Sequence, residues 1–225
     1  SSGLVGSEMC IRDRHNVVIA GGMESMSNAP QLLMGQRSGQ KMGDSKLIDS
    51  MIHDGLWDVY NNMHMGNTGE IIAKECSITR SQADEFAAQS HSKAAKAWEE
   101  GWFDWETFPI SVPQRRGDNL VLERDEGVRS DSTADSLSNL RTVFDKDGIV
   151  TAGNASTLND GASAVLVTSE TYAKQQGWEI IATIEDYCTA GVEPERVMSA
   201  PIPAVRNLLK RNKLDVLDVD VYEHN

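Results

Sequence analysis

The chain has 225 residues, enough for one large or two small domains with a real core. Its 40% apolar and 24% charged content is that of a soluble globular protein. A net charge of −13 excludes a general nucleic-acid binder, which needs a basic face for phosphates. One anionic small ligand remains compatible with it, and Arg115, Arg116, Arg129 and Arg141 are the candidate cations, each with a solvated surface as its alternative role.

Residues 1–14, S-S-G-L-V-G-S-E-M-C-I-R-D-R, have neither helical nor strand period and no signal-peptide architecture. They read as an adapter-like, non-native segment and are set aside from fold reasoning. Residues 15–20, H-N-V-V-I-A, form a β-branched run that predicts a buried strand ending in a tight turn at Gly21-Gly22. The Met/Ser/Gly-rich residues 23–43 predict a long excursion, and residues 45–55 one short helix closed by Gly55.

Asn67, with Glu70 three positions on, predicts a helix start that runs to about Glu75. Thr79 and Gln82 form a second capping box. The helix it opens sets Ala83, Phe86, Ala87, Ser90, Ala94, Ala97 and Trp98 at 3.6-residue spacing and ends at Gly101. Residues 108–112 and 120–123 predict a hairpin around the turn at 115–119, followed by polar loop from 125 to 140. Further strands are predicted at 164–168, 179–186 and 216–222, with helices at 170–176, stopped by Gly177, and at 201–211, with Pro201 and Pro203 in the permitted first turn. Strands and helices alternate at both ends around a helix-and-loop middle, the pattern of an α/β layered domain interrupted by an inserted domain. The final V-D-V-Y-E-H-N stops just after a strand-like alternation, and both ends read as cut.

For chemistry, the densest stretch is T-A-G-N-A-S-T-L-N-D-G-A-S-A at residues 151–164, which holds no Lys, Arg, Glu or aromatic residue. Gly153 and Gly161 permit close backbone approach, Asn159-Asp160-Gly161 signals a turn, and Ser156 and Asn154 offer polar groups to a ligand. Residue types alone leave it open between a ligand-approach loop and an ordinary polar loop before a strand. His64, between Met63 and Met65, has no second His or Cys at ligand spacing, so it is either packing or a hydrogen-bonding group in an apolar slot. Cys10, Cys76 and Cys188 form no C-x-x-C pair, and the latter two predict small core residues. The sparse count fits a reducing compartment, cytoplasmic or an organelle matrix, and no apolar run approaches a membrane span. P-loop, G-x-G-x-x-G and G-x-S-x-G motifs do not occur.

Taken together, V-I-A-G-G-M-E-S-M-S-N-A-P (18–30), H-M-G-N-T-G-E (64–70), S-I-T-R-S-Q-A-D-E-F-A-A-Q-S-H (77–91), F-D-K-D-G-I-V-T-A-G-N-A-S-T-L-N-D-G-A-S-A (144–164), A-P-I-P-A (200–204) and the closing Y-E-H-N resemble the thiolase family, and within it the acetyl-CoA acetyltransferases. Thr157 stands where glycine is common in that family. The resemblance covers essentially everything from residue 16 onward and implies a partial chain. The implied fold is a layered α-β-α-β-α core, incomplete here, with an inserted loop domain. Residues 15–27 and 157–178 would belong to the N-terminal thiolase domain. Residues 28–156 would form the loop domain covering coenzyme A, and 179–225 the start of a truncated C-terminal domain.

The resemblance also implies Claisen condensation of two acetyl-CoA to acetoacetyl-CoA, or the reverse thiolysis, through an acyl-cysteine intermediate in fatty-acid or ketone-body metabolism. Ser156 matches the serine that hydrogen-bonds the pantetheine arm, with Ala152 beside it, and His64 and Met65 match the pair lining the acyl slot. Leu56, Arg129, Ser136 and Phe144 match loop-domain positions around coenzyme A, Leu56 and Arg129 by spacing more than by motif. Asn225 matches the asparagine that holds the catalytic water of one oxyanion hole. Coenzyme A belongs to the substrate, so no separate cofactor and no metal is implied. The partners would be acetyl-CoA, acetoacetyl-CoA and three further copies in a cytoplasmic homotetramer, or one in the mitochondrial matrix if the source is eukaryotic, with no nucleic acid or membrane. The nucleophilic Cys-Gly-Ser-Gly and the Gly-His-Pro histidine do not occur in these residues, so the chain alone is expected to be inactive. The alternatives are a degradative 3-ketoacyl-CoA thiolase, a non-catalytic acyl-CoA or lipid-binding relative, and a structural loop-domain fragment.

Overall fold

The computed structural model describes residues 15–224. The expectations placed on residues 1–14, Cys10 among them, and on Asn225 lie outside the described residues. In chain order the elements are β1 (Val17–Ser25), β2 (Gln31–Leu33), β3 (Leu47–Asp49), β4 (Trp57–Asp58), β5 (Met63–His64), α1 (Met65–Glu75), α2 (Arg80–Glu99), β6 (Ile110–Val112), β7 (Leu120–Leu122), α3 (Ala134–Ser138), β8 (Asp160–Thr168), α4 (Glu170–Gln176) and α5 (Pro201–Asn212). They divide between two compact units. One gathers the residues up to Gly55, Leu158–Glu193 and those from Val197 onward; the other holds Leu56–Thr157 and Pro194–Arg196.

The first unit is organised by β1, which pairs antiparallel with β8 from Val17↔Thr168 to Ser25↔Asp160. The predicted turn at Gly21-Gly22 is instead mid-strand. A Cβ on Gly21 would lie 2.5 Å from the Ser163 carbonyl oxygen, so glycine here lets the second strand approach rather than turning the first. In the predicted Asn-Asp-Gly turn, Asp160 and Gly161 are also strand, the first two residues of β8. Asp160, whose carboxylate would close a local turn, accepts the backbone N–H of Ser27 at 3.0 Å and the Ser27 hydroxyl. Residues 45–55 are not one helix: β3 pairs with β2, and the π-type turn Met51–Gly55 follows, opened by the Asp49 carboxylate accepting the Met51 N–H at 2.9 Å. Ser169 caps α4 and Gly177 ends it at φ 68°, while Pro201 opens α5. Residues 179–186 have no ladder partner among the described residues, and Ile181 and Ile184 are exposed. Residues 216–222 form a 3-10 turn, Val216–Asp218, capped by Asp215 rather than a strand.

In the second unit, β4 and β5 make a two-residue ladder that delivers the chain into α1, and β6 pairs with β7 as the predicted hairpin. Thr79 and Gln82 form a reciprocal capping box at the start of α2, worth about 1 kcal/mol. The face of α2 differs from the periodic reading. Asp84 is 1% exposed and Phe86 is 75% exposed, so the helix turns a carboxylate inward and an aromatic ring out. The reason is polar pairing. Arg80 donates its Nε–H to Asp84 at 2.7 Å, and Asn154 donates to the other carboxylate oxygen at 2.9 Å. The predicted loop at 125–140 contains α3, opened by a Thr133–Ser136 capping box. Cys76, expected in the core, is exposed where α1 ends, and Cys188 in the first unit is half-buried.

Hydrogen bonds from Ser27 hold the Asp160 carboxyl below its ordinary value. A carboxyl so lowered stabilises the fold above its unfolded pKa and loses that contribution as pH falls through the folded value. Asp160→Asn should therefore lower the urea midpoint at about pH 7, and the gap from wild type should narrow at about pH 3. A gap that stays constant with pH would refute the assignment.

Candidate functional site

All eight candidate residues within the described range fall in the second unit. Four of them converge at the start of α1. The predicted cap at Asn67 is displaced three residues upstream. His64 is extended (φ −74°, ψ 148°), and its Nδ1 accepts the Gly66 N–H at 3.0 Å, so His64 is the cap. Its other ring nitrogen, Nε2, then carries the proton of the neutral imidazole and is available as a donor. The imidazole stacks on the Phe144 ring at 4.7 Å between centroids and 26° between planes. Such ring pairs contribute roughly 0.5–1.5 kcal/mol beyond their buried area. Met65 donates its N–H to the Leu56 carbonyl at 2.8 Å, which brings Leu56 to the same corner.

Glycine at 66 makes this stacking possible. A Cβ there would lie 2.1 Å from a Phe144 ring carbon, so any side chain would evict the ring. Glu70, predicted to complete a capping box, instead reaches the far segment. Its two carboxylate oxygens accept the N–H groups of Ile149 and Val150, each at 2.8 Å, and Gly148 leaves room for them, since a Cβ there would lie 2.3 Å from Glu70 Oε1.

Ala152 and Ser156 sit on the small-residue segment that follows. Thr151 is fully buried, and its N–H is accepted by the Asn154 side-chain oxygen at 2.7 Å. Gly153 packs against Leu137 and Leu140, where a Cβ would meet their methyl groups at 2.6 and 2.5 Å. Ala152 and Ser156 are both exposed, and the Ser156 hydroxyl makes no hydrogen bond to a described residue. Ser136 lies on α3, where its hydroxyl is used in the cap with Thr133. Arg129 is exposed, and its backbone N–H is accepted by His91 of α2 at 3.2 Å.

The structure thus joins Leu56, His64, Met65 and Phe144 in one cluster. Ala152 and Ser156 lie on a segment tied to it through Glu70, and Ser136 and Arg129 stand on the α2–α3 side. An open cleft of about 490 Å³ is lined by Trp57, His64, Asn67, Glu70, Lys74 and Asp145 among others. A second, of about 610 Å³, is lined by Arg80 and residues 140–146, Phe144 included. Neither collects the whole set. Asp58, at the β4 end of the corner, is 3% exposed, and the Asn61 amide is the main cause that holds its carboxyl below its ordinary value. Among the described residues no group of three His, Cys, Asp or Glu could hold a metal ion. The sequence placed Glu70 in a helix cap and Phe86 on an apolar face, and it did not single out Arg80 or Asp84, whose i,i+4 spacing was their one local signal.

The family description "Thiolase, N-terminal domain" matches residues 4–171, and "Thiolase, C-terminal domain" matches residues 178–225. The acetyl-CoA acetyltransferase of Cupriavidus necator is 51% identical over 209 residues, which are 93% of this chain and 53% of that protein. A probable acetyl-CoA acyltransferase of Staphylococcus aureus is 46% identical over 96% of this chain and 55% of its own length. Among solved structures, the Bacillus anthracis acetyl-CoA acetyltransferase has a TM-score of 0.91 at 38% identity, over 98% of this chain and 57% of that one. The human mitochondrial 3-ketoacyl-CoA thiolase has a TM-score of 0.90 at 36% identity, over 98% of this chain and 56% of that one. The chain spans about half the length of the curated relatives it matches.

Gly66→Ala removes a poor helix former, which alone would stabilise α1 by roughly 1 kcal/mol. The clash with Phe144 should reverse that sign and destabilise the protein by about 1–3 kcal/mol. Adding Phe144→Ala should then cost less than it does in the wild type, and urea denaturation of the four proteins measures this coupling.

Proposed function

The chain belongs to the thiolase family and has its α/β fold, and from that premise we propose that it is part of an acetyl-CoA C-acetyltransferase. That enzyme condenses two acetyl-CoA to acetoacetyl-CoA or runs the reverse thiolysis. The observation that carries the proposal is the corner at the start of α1. There an imidazole with a free Nε2–H is locked by a cap and a stacked ring beside Met65, next to a segment whose Ser156 hydroxyl is exposed and uncommitted. An Nε2 donor suits a thioester or amide carbonyl, and a serine hydroxyl suits the amide of a pantetheine arm. Arg129, exposed beside α2, supplies charge for a phosphate, while Leu56, Phe144, Ala152 and Ser136 shape the walls.

Neither described cysteine resembles an acyl acceptor. Cys76 ends a helix in the open, and Cys188 donates weakly to a neighbouring carbonyl. On this reading the residues of this chain bind and orient the coenzyme A thioester. A Cys-Gly-Ser-Gly nucleophile and a Gly-His-Pro histidine, neither of which occurs in these 225 residues, perform the transfer with a second catalytic cysteine. Asn225 would hold the oxyanion-hole water, residues 28–156 would be the loop domain, and a cytoplasmic homotetramer would be the working form. No helix among the described residues is long and apolar enough to cross a membrane. The likeness to a 3-ketoacyl-CoA thiolase, almost equal in TM-score to the acetyltransferase, favours degradative thiolysis as the second reading.

In the complete protein, Ser156→Ala should raise the KM for acetyl-CoA about 3- to 10-fold, the worth of one hydrogen bond, and leave kcat within about twofold. An unchanged KM would remove Ser156 from the site. The purified 225-residue chain should not cleave acetoacetyl-CoA above a protein-free blank in a thiolysis assay.

A further inference from the structure

Beside one antiparallel bridge, Thr142↔Thr151, and the Val143 N–H donated to the Val150 carbonyl at 3.0 Å, the backbone of residues 149–153 is shaped by side chains. The N–H groups of Ile149 and Val150 go to Glu70, that of Thr151 to the Asn154 side chain, and that of Gly153 to the Thr151 hydroxyl. Asn154 is the hinge of this arrangement. One amide hydrogen goes to the Ile149 carbonyl at 2.9 Å, the other to Asp84 Oδ1 at 2.9 Å, and its oxygen takes the Thr151 N–H. Asp84, 1% exposed, spends its second oxygen on Arg80 Nε at 2.7 Å. Arg80 then uses Nη2 on the carbonyls of Leu137 at 2.7 Å and Leu140 at 2.9 Å, where α3 ends. One buried carboxylate therefore ties the segment bearing Ala152 and Ser156 to the helix bearing Ser136.

We propose that Asp84 is a positioning residue for coenzyme A thioester binding, acting through Asn154 and Arg80 to fix the Ser156 segment and the α3 terminus relative to each other. This rests on the reading of Ser156 as a ligand-binding hydroxyl. Asp84 is suited to the role because only a carboxylate accepts on both sides. An asparagine there must turn its NH₂ toward either the Arg80 guanidinium or the Asn154 amide, so one donor faces another. The chain is held from within, which leaves the outward Ser156 hydroxyl free for the ligand without any backbone rearrangement on binding.

The test compares Asp84→Asn, Asn154→Ala, the swap Asp84→Asn/Asn154→Asp and Ser156→Ala in the complete protein. Steady-state kinetics with acetyl-CoA are combined with amide hydrogen exchange over residues 149–155. Asp84→Asn and Asn154→Ala should each raise KM by about tenfold, with kcat within about threefold, and speed exchange at Thr151 and Gly153. The swap restores an acceptor opposite a donor and should recover part of both effects. Asn154→Ala leaves the Arg80–Asp84 pair intact, so it reports on the relay if Asp84→Asn does not fold. The proposal is overturned if Ser156→Ala raises KM while Asp84→Asn and Asn154→Ala do not. It is equally overturned if the relay variants lower kcat as much as they raise KM and the swap recovers nothing, since that is general loss of structure. If Ser156→Ala is silent too, the reading of Ser156 is what fails and the positioning role falls with it.

Discussion

The second unit depends on a buried charge. Asp84 is almost fully removed from water, and an unpaired carboxylate in such a place would be tens of kcal/mol out of balance or would simply take up a proton. It is instead paired with Arg80 and hydrogen-bonded by Asn154, which satisfies both oxygens. Removing one member of such a pair costs roughly 3–5 kcal/mol, because the other is left charged and buried. Little apolar packing is available to offset that loss. The buried hydrophobic residues of this unit are Ala73, Ala97 and Leu137, whereas Asp58, Thr68, Asp84 and Thr151 are buried polar groups. Hydrogen bonding with specified partners thus does here what interlocking aliphatic side chains do in most cores, and it is more directional.

Three glycines make the same point from the other side. Gly66 admits the Phe144 ring, Gly148 admits the Glu70 carboxylate, and Gly153 admits the methyl groups of Leu137 and Leu140. Each sits where a segment without regular structure presses on a helix or on a helix end. The small-residue composition of residues 151–164 is thereby explained only in part by ligand access. In its first half, small residues let the chain lie close to α2 and α3, while its second half is the strand β8.

What was legible in the sequence was local. The Thr79–Gln82 box, the hairpin of β6 and β7, the Ser169 and Gly177 boundaries of α4 and the prolines opening α5 all depend on residues within a few positions of one another. Several errors share one cause: a residue with the right chemistry for a local role was taken by a distant partner. Glu70 looked like the acid of a capping box and bonds residues 149 and 150. Asp160 looked like a turn former and bonds Ser27. Phe86 looked like the core face of α2, yet it is exposed and the buried Asp84, bonded by Asn154, takes the inward position. Residues 179–186 have strand-like composition, but a strand is a pairing, and composition does not supply the neighbour. The His64–Phe144 contact spans 80 positions and had no signal beyond the resemblance itself.

The distribution of satisfied and unsatisfied groups bears on how the site would work. From residue 149 to residue 154 the inward polar atoms are committed to named partners, and His64 Nδ1 is committed to its own helix. The Ser156 hydroxyl and the Nε2–H of His64 are left uncommitted, the latter on a ring fixed by its cap bond and the Phe144 stack. A surface that bound its ligand by induced fit would keep its polar groups paired with one another until the ligand displaced them. Here the cost of ordering is met during folding, so binding a thioester arm would lose little conformational entropy. The same commitment limits the chemistry. The inward groups of this set are each engaged in a structural hydrogen bond. Under the proposed reading, proton transfer falls to residues outside this cluster, and the cluster holds the arm still.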